Sequence, residues 1–236
     1  MKLTAPADSA PVPVRDSLAS RIGAWSRCQA ARALVRRALD LQVTGVENVP
    51  ERGPAILVAR HYHHLYDAAA ILANVRREVH VLVALDWLGG GWRLAVMRWL
   101  AAAARWPVVW RRGRACRINR EGYRASLNLL NEGRVLLIFP EGYPNVDPLG
   151  TPKQQPDEFL PFDPGFLVLA ERARCEVPLV PVGLRYTRRA AGGWRACLRF
   201  GAPVSYARDR QGGRRAALGR LESAVRELSE PPGCPD

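Results

Sequence analysis

The sequence predicts an α/β fold: a single domain in which helices cover a largely parallel or mixed sheet, preceded by an N-terminal amphipathic helix. Three observations carry this. Apolar runs of strand length alternate with stretches of helical period along most of the chain, the pattern of strand–helix crossover units. The chain has 236 residues, enough for one sizeable core. Hydrophobic residues make up 48% of it, too many for disorder to be the default. No apolar run reaches transmembrane length, so no membrane-spanning helix is expected.

Residues 1–14 are polar and proline-containing and lack the apolar centre of a signal peptide; they read as a disordered lead. Residues 15–42 read as a basic amphipathic helix. Leu18, Ile22, Trp25, Leu34, Val35, Ala38 and Leu39 recur near helical spacing, with Arg21, Arg27, Arg32, Arg36 and Arg37 among them. A break is expected near Arg27 to Gln29. Such a helix either packs on the domain or meets anionic lipid.

Residues 43–230 form the main domain. Strands are expected at 43–46, 55–59, 79–84, 108–110, 134–139, 179–185 and 196–200, and helices at 67–77, 93–104, 120–131, 165–174 and 214–229. Gly133 after Asn131-Glu132 reads as a helix stop. Between Tyr143 and Pro164 lies a long loop with six prolines; so long a loop in a compact domain is usually functional. Residues 231–236 read as a tail, and no internal repeat is seen.

Trp92, Trp99 and Trp106 are spaced by seven, which sets them within about 40° of one another around a helix. Val96, Leu100 and Ala103 share that face, flanked by Arg93, Arg98 and Arg105. Tryptophan beside arginine suits a membrane–water interface; burial against the sheet is the alternative.

The net charge is +13 and the pI near 10.5, and lysine occurs only at Lys2 and Lys153. Arginine favours bidentate phosphate contacts. Partners of opposite charge are nucleic acid, anionic membrane or phosphorylated substrates. No basic tail, aromatic RNA-binding motif or zinc finger is present, so nucleic acid is not expected. The five cysteines are unpatterned and fit a reducing cytoplasm.

Two segments carry chemistry. After the apolar run Ala55-Ile56-Leu57-Val58 comes Ala59-Arg60-His61-Tyr62-His63-His64-Leu65-Tyr66-Asp67. A histidine at a strand end meets an aspartate at a helix start side chain to side chain. Imidazole then takes a proton while the carboxylate orients it, the minimum apparatus of a general base. Phe139-Pro140-Glu141-Gly142 ends another apolar run. Three histidines and an aspartate also raise a metal site. However, Leu65 stands two after His63 where a metallo-hydrolase needs an acid, and the only other histidine is His80; no metal is expected. His63 and His64 read as polar loop residues.

In order and spacing these motifs resemble the glycerolipid acyltransferase family, that of 1-acylglycerol-3-phosphate acyltransferases, from about Val43 to Val204. His61 and Asp67 match the histidine–aspartate block in its five-residue-gap form. Trp106-Pro107-Val108-Val109-Trp110-Arg111-Arg112 matches a block ending in arginine. Phe139-Pro140-Glu141-Gly142 matches F-P-E-G, and Val177-Pro178-Leu179-Val180-Pro181-Val182 a block with V-P-V. Phe162-Asp163-Pro164-Gly165 is similar to F-K-x-G. Tyr143, Pro144 and Asp163 depart from the commonest residues, which puts the acceptor in question.

The resemblance implies an enzyme of phospholipid biosynthesis at the cytoplasmic face of the cell membrane, peripherally bound to an anionic surface. It would move a fatty acyl group from acyl-CoA or acyl-carrier protein, as co-substrate, to a glycerolipid hydroxyl, with no further cofactor. The leading acceptor is lysophosphatidic acid; glycerol 3-phosphate, another lysolipid, or a non-catalytic lipid-binding module are the alternatives. His61 and Asp67 would be catalytic. Arg111, Arg112, Glu141, Gly142 and Pro181 would bind substrate, with Arg111 on the acceptor phosphate and Glu141 orienting an acceptor hydroxyl or Arg111. Main-chain N–H groups near the strand ends would hold the oxyanion.

Overall fold

The structure, a computed structural model, describes residues 17–85, 91–109, 120–146, 151–155, 157–190, 192–206 and 213–230. The lead, the tail and Trp110, Arg111 and Arg112 lie outside the described residues.

Helix α1 (Leu18–Ala38) starts where the Ser17 side chain accepts the Ser20 N–H at 3.2 Å, an N-cap that satisfies one orphan donor. It runs unbroken through Arg27 to Gln29. Its buried residues are Ala31 and Val35, and Arg36 and Arg37 close its last turn, where cations suit the helix dipole. The expected helix to residue 42 ends early. Leu39-Asp40-Leu41-Gln42-Val43 alternates with period two, and these residues form strand β1 (Leu39–Thr44). Pairing with a neighbouring strand satisfies their backbone and outweighs a further helical turn.

The central strands are β2 (Ala55–Ala59), β3 (Val79–Val81), β6 (Val135–Ile138) and β7 (Pro178–Arg188). They lie side by side as β7-β2-β6-β3, all parallel. Strand β8 (Trp194–Phe200) runs antiparallel on β7, and β1 runs parallel on β8. The short β9 (Val204–Ser205) also pairs with β7. Every residue of β2 and β6 is buried, as expected where helices cover both faces of a parallel sheet. Helix α2 (Tyr66–Asn74) packs with α1 on one face. Arg27 pairs there with Glu78 at 2.6 Å, and Arg32 Nε donates to the Ala73 carbonyl at 3.1 Å. On the other face lie α4 (Arg120–Asn131), α5 (Gly165–Arg172) and α6 (Gly213–Ser229). Gly183 lets α6 approach β7: a Cβ there would sit 2.4 Å from the Leu228 carbonyl carbon.

Two details depart from the sequence reading. Residues 79–84 are two strands, because β4 (Val83–Ala84) leaves the main sheet to pair with β5 (Val108–Val109). Trp106 is not on the helix of Trp92 and Trp99. Helix α3 (Gly91–Ala103) ends in a turn where the Trp106 N–H bonds the Ala101 carbonyl and the Arg105 N–H the Ala102 carbonyl. That pair of bonds is a Schellman stop. Arg105 takes φ 54 there, and Trp106 turns inward against the core. Trp92 and Trp99 remain 73% and 69% exposed, with Val96 and Leu100 beside them. Cys28 and Cys175 are free thiols.

Candidate active site

Strands β2 and β6 are parallel neighbours, with Val58 opposite Ile138. The segments that follow them therefore emerge together at their carboxyl ends, where α/β sheets place their sites. His61 follows β2 and Glu141 follows β6.

The His61 Nδ1 lies 2.9 Å from Asp67 Oδ2. The same oxygen accepts the Tyr62 N–H at 2.6 Å and the His63 N–H at 2.9 Å. Asp67 is wholly buried in the first turn of α2, the helix end that favours an anion. An oxygen that accepts from all three sides requires the imidazole proton on Nδ1, which leaves the Nε2 lone pair to take a proton. Phe139 stacks on the imidazole, centroids 4.3 Å apart and planes 20° from parallel. The ring is thus fixed by one hydrogen bond and one stacking contact. The structure brings together His61 and Asp67 as the spacing implied.

Glu141 is engaged with main chain and with a lysine. Its Oε1 accepts the His61 N–H at 2.8 Å, and its Oε2 accepts Lys153 Nζ at 2.6 Å and the Leu160 N–H at 3.1 Å. The side chain is fully buried and holds main chain rather than facing an open cleft. Gly142 follows with φ 74 and its N–H on the Phe139 carbonyl at 3.0 Å. This is a tight turn in the region that disfavours a side chain. Pro181 sits in β7 opposite Val58, near the place where Gly201 and Leu228 meet, on the α6 side of the sheet.

Lys153 completes the site from the proline-rich loop. Its ammonium donates to Glu141, to Asn145 Oδ1 at 2.8 Å and to the His61 carbonyl at 3.0 Å. All three of its N–H bonds are thereby used. Burial pushes its pKa below the usual lysine value, and Glu141 opposes that shift. The loop is also held by the Val146 N–H on the Tyr62 carbonyl at 2.8 Å. Sequence reasoning missed Lys153 as a site residue. The signal was its rarity: one of two lysines in an arginine-rich chain, inside the loop marked as functional.

His63 also differs from expectation. It is 8% exposed, its ring centre 4.3 Å from Tyr66, 6.0 Å from Tyr186 and 5.9 Å from Trp194. His64 is exposed. Burial and the Asp67 charge push the Tyr186 hydroxyl well above its ordinary pKa of 10.0, so the phenol stays protonated. Among the described residues no three His, Cys, Asp or Glu side chains are grouped to hold a metal ion.

The amides of this segment are committed internally. Arg60 donates to the Val182 carbonyl and His64 to that of Val146. Those of His61, Tyr62 and His63 go to carboxylates, and that of Leu65 goes to His63 Nδ1 at 3.3 Å.

A family model described as Acyltransferase matches residues 40–185. Among solved structures, the 1-acyl-sn-glycerophosphate (LPA) acyltransferase PlsC from Thermotoga maritima superposes with a TM-score of 0.63 at 19% identity. The match covers 91% of this chain and 83% of that one, a likeness of fold. A sequence comparison with curated proteins finds no match.

Proposed function

The chain belongs to the acyltransferase family, and we propose that it moves a fatty acyl group from a thioester, acyl-CoA or acyl-carrier protein, to a hydroxyl of a glycerolipid. The leading acceptor is lysophosphatidic acid, giving phosphatidic acid. The observation that carries this is the half-buried His61 ring, held through Nδ1 at 2.9 Å by the wholly buried Asp67 carboxylate.

The chemistry follows from the donor and acceptor. An alcohol at neutral pH attacks a thioester poorly, because its proton must leave as the C–O bond forms. His61 Nε2 takes that proton, a step worth roughly 10²–10⁴-fold. The oxygen adds to the thioester carbonyl, and the tetrahedral intermediate collapses by expelling the thiolate. The imidazolium returns its proton to the thiolate, and Asp67 balances the charge in between. The ester bond formed replaces the thioester bond broken, with no acyl-enzyme and no cofactor. Glu141 and Lys153 hold the His61 backbone at both its N–H and its carbonyl.

The same reading places the enzyme peripherally on an anionic membrane, at its cytoplasmic face. Among the described residues no helix is long and apolar enough to cross a membrane. Trp92, Val96, Trp99 and Leu100 form an exposed apolar stripe along α3, and Leu18, Ile22 and Trp25 another on α1. Tryptophan flanked by arginine favours an interfacial position. Glycerol 3-phosphate is the second acceptor to test, since Asp163 replaces the lysine of the F-K-x-G pattern and its Oδ1 accepts the Gly165 N–H at 2.8 Å.

The test is transfer of a radiolabelled acyl group to a panel of lysophosphatidic acid, other lysolipids and glycerol 3-phosphate. Product from lysophosphatidic acid at the highest kcat/KM supports the reading. Product from none of them, with folded protein and either donor, sinks it.

A further inference from the structure

Where the end of α1 meets the β7–β8 turn lies an arginine-lined concavity with no assigned role. Its volume is about 430 Å³, within the range of small-ligand sites. Arg36 and Arg37 of α1 line it, together with Arg189 and Gly193 of the β7–β8 turn, Asp40 and Trp194. Among the described residues, Arg36, Arg37 and Arg189 make no ion pair; the Asp40 carboxylate beside them is taken by Arg195 at 3.3 Å. Three like charges around one hollow repel each other unless an anion enters. Guanidinium groups hold phosphate oxygens by paired, charge-assisted bonds.

Trp194 connects this hollow to the site. It lines the concavity, and its ring centre is 5.9 Å from that of His63, two residues from the base. A ligand seated among the arginines has to reach past Trp194 and His63 to meet His61. The phosphate of a glycerolipid acceptor lies only a few bonds from its hydroxyl and cannot do both. A thioester on a long flexible arm, with its phosphates at the far end, can. A carrier protein would need a broad surface, whereas this is a hollow of nucleotide size.

We propose that Arg36, Arg37 and Arg189 bind the phosphate-bearing nucleotide end of a coenzyme A thioester, its arm running past Trp194 and His63 to His61. This rests on the acyl-transfer reading and names its donor.

The test uses the full chain and adenosine 3′,5′-bisphosphate as probe, measured by calorimetry, alongside donor kinetics. The Arg36→Gln/Arg37→Gln/Arg189→Gln variant changes exposed side chains and is expected to keep its melting temperature. Bisphosphate binding and KM for acyl-CoA should each worsen at least about tenfold, with kcat at saturating donor and the acceptor KM unchanged. Raised salt should weaken binding to the wild type. Equal bisphosphate affinity in both proteins overturns the proposal. So does a variant impaired only with an acyl-carrier-protein donor, or only in acceptor KM. Arginine-dependent bisphosphate binding in a protein that transfers no acyl group sustains the site and removes the acyl-transfer reading instead.

Discussion

Glu141 and Lys153 form an ion pair at 2.6 Å with both side chains fully buried. The pair joins the carboxyl end of β6 to the proline-rich loop and grips the His61 main chain from two sides. Removing either partner leaves an unpaired charge in the interior.

Lys153→Met should therefore destabilise the fold by about 3–5 kcal/mol, read by urea unfolding. The double variant Glu141→Gln/Lys153→Met should recover part of that loss, since no lone charge remains. A single variant within about 1 kcal/mol of wild type, in the range of surface changes, would show that the Glu141 carboxylate left behind is not stranded in the interior.

The His61–Asp67 pair predicts a rate effect. His61→Ala should lower kcat by at least about 10²-fold while the protein stays folded. His64→Ala, at an exposed position, should change kcat little. His63→Ala should lower the melting temperature, because His63 is packed among Tyr66, Tyr186 and Trp194. Near-normal turnover in a folded His61→Ala protein would refute the general-base mechanism.

The α3 stripe predicts separable fold and membrane effects. Trp92→Ser/Trp99→Ser should leave the melting temperature unchanged, since both rings are mostly in solvent. Co-sedimentation with anionic vesicles should fall, and salt should weaken what remains. Trp106→Ser, by contrast, should cost stability, as that ring lies against the core. Undiminished vesicle binding in the double variant would rule out α3 as the contact.

His80 predicts a pH dependence. It is 1% exposed in β3, its Nδ1–H donates to the Ala104 carbonyl at 3.1 Å, and its Nε2 is buried without a hydrogen bond. Burial holds its pKa below the ordinary 6.5; Arg105 and Arg134 push the same way, while Glu78 and the Ala104 bond oppose. Below pH 6.5 the unfolded chain therefore binds the proton first. Stability is complete above that pH and is lost as pH falls toward the depressed native value. His80→Gln should flatten this part of the acid limb in urea titrations at stepped pH. An unchanged slope would show that His80 does not titrate out of the fold.

Much of the element order was legible because each element carries its own period. The unbroken runs of β2 and β6, the punctuation of Gly133 and the six-residue step from His61 to Asp67 are local facts, fixed by bond geometry within a turn or a strand. They determined the fold class and the meeting of His61 with Asp67 at a strand end. What they left open depended on partners distant in sequence. Leu39 to Thr44 became strand because β8 offered a free edge about 155 residues away. Trp106 left its helix face because the core accepted it after an Arg105 turn. Glu141 became a buried clasp because Lys153 reached it across a loop whose path no periodicity encodes. Hydrophobic period is a property of neighbours along the chain. Which charge meets which, and which apolar face is left to solvent, depends on how the elements pack in three dimensions.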